Sequence, residues 1–492
     1  QQRLPSGKLV EYQYSDNGVL TGIEVKYNDT TTQLIDSLTY SPNGITGYNW
    51  SQTAQTVSHD YDLDGRLTKI NNPALQRQYS YDAGNRITDI LDSSSNLNFN
   101  YQHDKQDRLL SQKLNQGNDD TQLSYAYDKN SNRTQTKVSQ DNAIDITNIT
   151  YEPTSNRITD ISYDASGRIL NDGTRTYTYN TAGRIERIQN GATGIYNVYN
   201  PLGQRIQKNS GNAKTYFVYD EQGLLIGEYY QNNNQLREYV YLNGLPVAMF
   251  NSEKPDEVLN IHTDHLGTPR AVSNASSEIL WRWEGDAFGN VNPQVSSITL
   301  PLRHAGQYED KETGLFYNYF RFYDPKTGRY VTSDPIGLDG GMNTYGYVGS
   351  SPLHFIDPTG ELFFVPAIPA AVQAATAAIA AGTACYATDC GQAAVNAMAT
   401  VAKSVGDEFA KQSEYLRYKN YCNNPPPPTG DRCKDLKNNI EFHKTCADMR
   451  ENWDNKFLPK RHEKAIRDHR RMERKYRKRL ENAWDCREQC DD

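Results

Sequence analysis

Cysteine is absent from the first 384 residues of this 492-residue chain, and all seven lie between Cys385 and Cys490. The long N-terminal part therefore stands without disulfides. The tail's spacings are irregular (Cys385, Cys390, Cys422, Cys433, Cys446, Cys486, Cys490), the pattern of a small domain stapled in an oxidising place. Seven is odd, so at least one thiol is free or pairs elsewhere. No CxxC pair occurs, which leaves a zinc reading of His443-x-x-Cys446 without support. No signal peptide is expected within the residues given, since residues 1–10 hold neither a basic n-region nor an apolar h-region. The chain opens in mid-repeat, and the expectation is a fragment or a processed product. The net charge of −8 hides an asymmetry, since residues 413–492 carry 20 Lys+Arg against 15 Asp+Glu, or +5, leaving −13 for residues 1–412. A basic module follows an acidic carrier, in a chain long enough for two or more domains with ordinary cores.

Tyrosine is what the chain has in plenty, 35 in all, and in the first half it recurs in one phrase. Tyr61-Asp62-Leu63-Asp64-Gly65-Arg66, Tyr81-Asp82-Ala83-Gly84-Asn85-Arg86, Tyr163-Asp164-Ala165-Ser166-Gly167-Arg168 and Tyr179-Asn180-Thr181-Ala182-Gly183-Arg184 are the clearest copies; Tyr199-Asn200 and Tyr219-Asp220 are looser. Tyr61, Tyr81 and Tyr101 are 20 apart, as are Tyr179, Tyr199 and Tyr219, which is about one β-hairpin. Such a period means an array of repeats. Each copy reads as an alternating strand ending in an Asp/Asn-x-x-Gly turn, where the acid or amide bonds the backbone ahead and Gly accepts positive φ. An aliphatic residue after the Arg (Leu67, Ile87, Ile169, Ile185) opens the next strand. One hairpin is marginal in water, but stacked hairpins bury Tyr and Ile faces on one another, so the expected product is one long, spiralling antiparallel sheet.

The phrase resembles the YD repeat of the RHS family of bacterial polymorphic toxins, also found in Tc-toxin C components and teneurins. Two further family marks are His262-Thr263-Asp264-His265-Leu266-Gly267-Thr268-Pro269-Arg270 and Gly314-Leu315-Phe316-Tyr317-Asn318-Tyr319-Phe320-Arg321-Phe322-Tyr323-Asp324-Pro325. Asp334-Pro335-Ile336-Gly337-Leu338 and Asp357-Pro358-Thr359-Gly360 then match the family's core-terminating signature. The resemblance covers about residues 55–360 and implies a mainly β fold: YD-repeat hairpins spiralling into a hollow shell, with a small, mostly α-helical domain behind it. It divides the chain into a β-shell (1–300), a core-terminating autoprotease segment (301–362), an Ala-rich helical linker or translocation segment (363–412) and a basic, Cys-containing helical toxin domain (413–492).

The two Asp-Pro dipeptides, 23 positions apart, are candidates for a carboxylate pair. Two acids held close cannot both ionise cheaply, so they share a proton and can work as base and acid toward water. Proline fixes φ and keeps each acid's position rigid. The resemblance implies that the toxin is released by aspartyl-type autoproteolysis, with Asp334 and Asp357 as the pair and Arg321 as the supporting cation, and without a cofactor. The bland reading is that both acids merely cap turns. The family closes its second motif with Gly-Leu and cuts after the Leu, whereas this chain has Gly360-Glu361-Leu362. The expected bond is Leu362–Phe363, with Gly360–Glu361 as the second choice. His262, Asp264 and His265 are metal-capable types, but a polar turn explains them, and no metal site is expected there.

Residues 362–388 are uncharged and rich in Ala, with Pro366 and Pro369 near the start. The stretch beyond Pro369 should be helical; it packs within the shell or against the cargo, or it crosses a membrane. Pro425 to Pro428 form a stiff linker, followed by helices at about 431–452 and 459–490. In the second, Ala465, His469, Met472, Tyr476, Leu480 and Ala483 make one stripe among Arg and Lys. The basic face suits phosphate backbones, and His462 and His469 with Asp454, Glu463 and Arg461 are candidates for phosphodiester cleavage; a solvated charged helix is the plain alternative. The sequence is silent on a divalent metal for the toxin. A pore-forming cargo and a non-toxic cell-surface YD-repeat protein are the other classes. The family implies a secreted protein delivered into neighbouring bacterial cells, often on a type VI apparatus. It also implies a cognate immunity protein, with secretion or chaperone partners bound through upstream sequence; nucleic acid as a toxin substrate is read from the basic face, and a membrane at 363–388 from the uncharged Ala-rich stretch.

Overall fold

A computed structural model describes residues 1–361, 363, 422, 429, 431–456 and 463–481, apart from short breaks at 42–43, 53–54, 117–118, 142 and 232–234. In it each Tyr-Asp phrase closes a turn by one device. Asp62 Oδ1 accepts the backbone N–H groups of Asp64 and Arg66 at 3.0 and 2.9 Å, and its Oδ2 accepts Arg66 Nε at 2.6 Å. The same triple contact recurs at Asp82, Asp104 and Asp164. The residue before the Arg carries the positive φ: Gly65 at 78° in one copy, Asn85 at 63° in another, where the nearby Gly84 is one position early.

The conserved geometry extends from one repeat to the next. Tyr81 Oη donates to Leu67 O at 2.6 Å, Tyr179 to Ile169 O at 2.6 Å and Tyr199 to Ile185 O at 2.7 Å. The Arg of several phrases lies over the following phrase's Tyr, as with Arg66 and Tyr81 at 5.1 Å and Arg168 and Tyr179 at 4.7 Å. The strand register slips immediately before the Tyr of each phrase, at Ser80/Tyr81, Thr178/Tyr179, Val198/Tyr199 and Val218/Tyr219. A bulge repeated once per hairpin adds twist and bends the strand each time, so curvature is built into the repeat. The phase of one copy differs from the expected one: the turn acid after Tyr81-Asp82 is Asp104, preceded by His103, and Tyr101 is a buried strand residue two positions earlier.

Hairpins follow one another strictly in chain order, but in two sheets rather than the single one expected. The first has fourteen strands, from Gln2–Arg3 to Ala143–Asn148, and the second fourteen, from Ser162–Tyr163 to Val295–Ser296. The break falls at 149–161. There the phrase is one residue longer, Tyr151 to Arg157, with Glu152 in place of Asp and Pro153 unable to donate. Only an isolated bridge, Tyr151 to Ile158, survives of the ladder.

Residues 283–361 join the two sheets. Ala287, Phe288 and Leu353 complete a core with Ile70, Ile90, Phe99 and Tyr125 of the first sheet. Tyr308, Leu315, Tyr317 and Phe322 complete another with Tyr177, Ile188, Ile195 and Phe217 of the second. Buried ion pairs fix the seat: Arg77 with Glu284 at 2.5 Å, and Arg205 with Asp310 at 2.6 Å. Within this segment Tyr308–Asp310, Leu315–Asn318, Arg321–Asp324 and Arg329–Tyr330 form a small antiparallel sheet. It carries the candidate site.

The chain separates into two compact units, Gln1–Cys390 and Gly391–Asp492. The second holds two helices among the described residues, α1 (Arg432–Lys456) and α2 (Glu463–Glu481). The predicted stripe of α2 faces α1: Tyr476 and Leu480 pack on Cys433 and Leu436. Cys422 and Cys446 form a disulfide and Cys433 is disulfide-bonded too, so the tail is stapled as its cysteine content implied. Cys446 is thereby taken from the His443-x-x-Cys446 pair. Among the described residues no helix is long and apolar enough to cross a membrane; the Ala-rich segment 364–388, Leu362 and Pro459 lie outside them.

Candidate active site

The hairpin from Asn318 to Arg321 turns at Tyr319, which has a φ of 50°, and projects Arg321 from the small sheet into the protein. The guanidinium is almost wholly buried and lies over Tyr330, its Cζ 3.6 Å from the ring centre. Its Nη2 reaches Asp334 Oδ2 at 2.8 Å and Asp357 Oδ2 at 3.4 Å. One nitrogen thus brings together two acids 23 residues apart in the chain. Nη1 donates to Thr344 O at 3.2 Å, and Nε donates to the Gly360 carbonyl.

Each aspartate divides its two oxygens between two tasks. Asp334 Oδ1 accepts the Ile336 N–H at 3.1 Å and closes its own Asp-Pro turn, while Oδ2 faces Arg321. Asp357 Oδ1 accepts the N–H groups of Gly360 and Glu361 at 2.8 and 3.1 Å, while Oδ2 accepts the Tyr330 hydroxyl at 2.6 Å. Turn capping and pairing are therefore compatible, one oxygen for each. Asn318 Nδ2 donates to Asp357 O at 2.8 Å and steadies the second turn from the small sheet.

Burial sets the electrostatics. It pushes Asp334 up to about 6, against the pull of Arg321 and with the charge of Asp357 adding to the rise. Asp357, fully buried, is pushed up for the same reason, with Arg321, Tyr330 and the two backbone N–H groups opposing. Glu361 is a third carboxyl, pushed up to about 7 by burial and then by the charges of Asp334 and Asp357. Three carboxyls against one guanidinium retain a proton near neutral pH, the condition for one group to act as acid while another acts as base. Tyr330, Asn318 and Glu361 escape a reading of the sequence, since nothing in their spacing marks them; Glu361 was visible only as a departure from a motif.

Of the two residues flanking the expected bond, Leu362 lies outside the described residues, and Phe363 is half-buried with its ring 5.3 Å from that of Phe355. His262, Asp264 and His265 serve the scaffold. His262 contacts Ser273 Oγ at 2.8 Å, His265 contacts Leu353 O at 3.0 Å, and Asp264 closes a turn and pairs with Arg270 at 2.8 Å.

In the second unit the rings of His469 on α2 and His443 on α1 meet, Nδ1 to Nδ1, at 2.8 Å, and His443 stacks on Tyr476 at 5.5 Å. Burial, followed by the charge of Arg450, pushes His469 down to about 4, and burial lowers His443 as well. Arg461 and His462 lie outside the described residues, and Asp454 lies in α1.

A family model described as Teneurin YD-shell matches residues 92–344. The chain is 30% identical over 242 residues to Double-stranded DNA deaminase toxin A of Burkholderia cenocepacia, a match covering 40% of this chain and 16% of that protein. It is 38% identical over 147 residues to Toxin protein Tse5 of Pseudomonas aeruginosa, covering 30% and 11%. It is 31% identical over 222 residues to Probable deoxyribonuclease RhsA of Dickeya dadantii, covering 41% and 15%. The match thus spans no more than 16% of the length of these curated relatives. Among solved structures, the fold is similar to that of a TcdB2-TccC3-TEV crystal structure, with a TM-score of 0.63 at 19% identity, over 72% of this chain and 20% of that one.

Proposed function

The chain belongs to the Teneurin YD-shell family, and from that premise we propose that it is the carrier and cargo portion of an RHS-type toxin that cuts itself in two. The YD-repeat unit encloses the C-terminal segment, and the site around Arg321 severs the link by aspartyl-type hydrolysis. The observation that carries this reading is the single Nη2 of Arg321 set between Asp334 Oδ2 and Asp357 Oδ2 in a buried site. Arg321 holds one acid ionised and polarises the backbone that follows the second motif, to which it is bonded at Gly360 O. The carboxylate pair takes a proton from water and gives one to the leaving nitrogen. No cofactor is required.

The cargo is a phosphodiester-directed enzyme on this reading. Its support is the basic face of α2, the His443–His469 contact beside Tyr476, and the deoxyribonuclease name carried by a relative. Delivery into neighbouring bacteria, by a type VI or related apparatus, and neutralisation by a cognate immunity protein complete the proposal. Two experiments test it. A C-terminal tag on the purified chain should report a free tail from the wild type and an uncut chain from Asp334→Asn; a tail released equally by both removes the autoprotease. The complete chain should degrade DNA or RNA and lose that activity on His469→Ala; activity unchanged in the variant removes the histidine pair from the chemistry.

A further inference from the structure

A buried guanidinium keeps its charge and is costly to leave without a counter-charge. Nine arginines are buried among the described residues, and seven of them, from Arg77 to Arg321, meet a carboxylate within ion-pair distance. Arg133 and Arg329 do not. They are 6% and 7% exposed, and no acid among the described residues forms an ion pair with either. Both line one cleft, where Tyr151, from the break between the two sheets, forms another part of the wall.

Each guanidinium gives Nη2 to a backbone carbonyl, Arg133 to Lys326 O and Arg329 to Asn156 O. Arg133 Nε and Arg329 Nη1 have no hydrogen-bond partner. Aromatic rings hold both groups in place: Arg133 lies over Tyr125 and Phe288 at 5.3 and 4.9 Å, and Arg329 over Tyr151 and Tyr345 at 5.1 and 4.6 Å. A ring face attracts a guanidinium but accepts nothing from the N–H groups in its plane and supplies no net charge. The two groups are neighbours, since Arg133 packs on Gly328, where a Cβ would lie 2.9 Å from its Nη1, and Arg329 is the next residue. Asp286, which feels the charge of Arg133, is pushed up by burial and already accepts the Tyr125 hydroxyl and the Phe288 N–H. Ser131, on the same wall, accepts from Arg108 and keeps its hydroxyl hydrogen to donate.

We propose that the cleft holding Arg133 and Arg329 is a binding site for a phosphate-type dianion. Two fixed positive charges call for two negative ones, and the planar forks of arginine match the oxygens of a phosphoryl group. Chloride or a single carboxylate neutralises half of the pair. The bound ion ties the strand Arg133–Gln140 of the first sheet to the strand Arg329–Tyr330 of the small sheet, across the break at 149–161. None of the cleft's residues belongs to the acid site around Arg321, so the inference stands apart from the autoprotease reading.

The test is calorimetric titration of the purified chain with inorganic phosphate at about pH 8, where the ion carries two charges. One ion per chain should bind saturably, half-saturating at about 1 mM or below, and acetate and chloride at matched ionic strength should bind at least about tenfold more weakly. Arg133→Gln and Arg329→Gln should each weaken binding about tenfold or more, as expected for the loss of a charge-assisted bond. Thr327→Asp keeps both arginines, sets a carboxylate in the wall of the cleft and should abolish binding. Phosphate should raise the melting temperature of the wild type more than that of Thr327→Asp, which separates binding from the general action of the salt on folded proteins. Glycerol phosphate bound as tightly as inorganic phosphate assigns the site to a phosphoryl group on a larger molecule, and its rejection assigns the site to the free ion; both agree with the proposal. Absence of saturable binding by the wild type overturns it, as does acetate binding equally well or an affinity that none of the three substitutions lowers. Should the arginine variants fail to fold, the wild type and Thr327→Asp decide.

Discussion

The repeat turns and the core-terminating turns use one local device for opposite ends. In the repeat, Asp62, Asp82 and Asp164 each close a turn with one oxygen and meet one Arg with the other, near the surface, and are held below the usual carboxylate range. At Asp334 and Asp357 the same division of oxygens occurs in a buried setting, where a single Arg321 serves both acids and Glu361 adds a third carboxyl. Both acids are pushed up instead. A turn Asp is thus held low where its own Arg matches its charge near the surface, and pushed up where burial outweighs the cation it shares.

Breaking that comparison at its centre has the largest expected effect. Arg321→Met leaves Asp334 and Asp357 buried without a cation; cleavage should vanish, and stability should fall by about 3–5 kcal/mol, as for a buried pair that loses one partner. Denaturant unfolding beside a gel assay checks both. A variant that still cuts removes Arg321 from the mechanism. Next in size is the pH dependence. Because the folded-state values of Asp334 and Glu361 are raised, Asp334 becomes a base only above about 6, and Glu361 retains a proton until about 7. The cleavage rate should climb as pH rises through 6 and decline beyond 7; a rate that is flat from 5 to 8 contradicts the shared-proton account. The smallest effect belongs to the repeat. Asp82→Ala removes a turn acid and a partly exposed ion pair with Arg86, costing about 1 kcal/mol, and should leave the cut unchanged. Cleavage that responds to Asp82→Ala as strongly as to Arg321→Met would erase the distinction between the two kinds of turn.

Much of this was readable from local pattern, because the repeat is a local object. Tyr-Asp-x-x-Gly-Arg places turn, positive φ and next strand within six residues, and the mainly β fold with a helical tail followed from it. The roles that pass between repeats were harder to see. Tyr81 bonds Leu67 and is covered by Arg66 across a hairpin, and the bulge before each Tyr depends on how the turn feeds its twist into the strand. His103 stands where a Tyr was sought, since the phrase shifts by two residues and only the turn acid marks the phase. The break at 149–161 comes from one extra residue and a proline, too small a change to read as a sheet boundary. At the site, the two Asp-Pro motifs singled out Asp334 and Asp357, the family resemblance added Arg321, and in the structure Arg321 lies between the two acids. Tyr330 and Asn318 come to Asp357 through the folding of a four-stranded sheet, so neither periodicity nor composition could have named them.

Whether this chain divides itself is decided most directly by the intact mass of the purified wild type beside that of Asp357→Asn. The account predicts two wild-type species whose masses add up to the 55.8 kDa chain plus one water, and a single uncut species for the variant. A wild type found only at 55.8 kDa, with site and substrate bond both present, would contradict it.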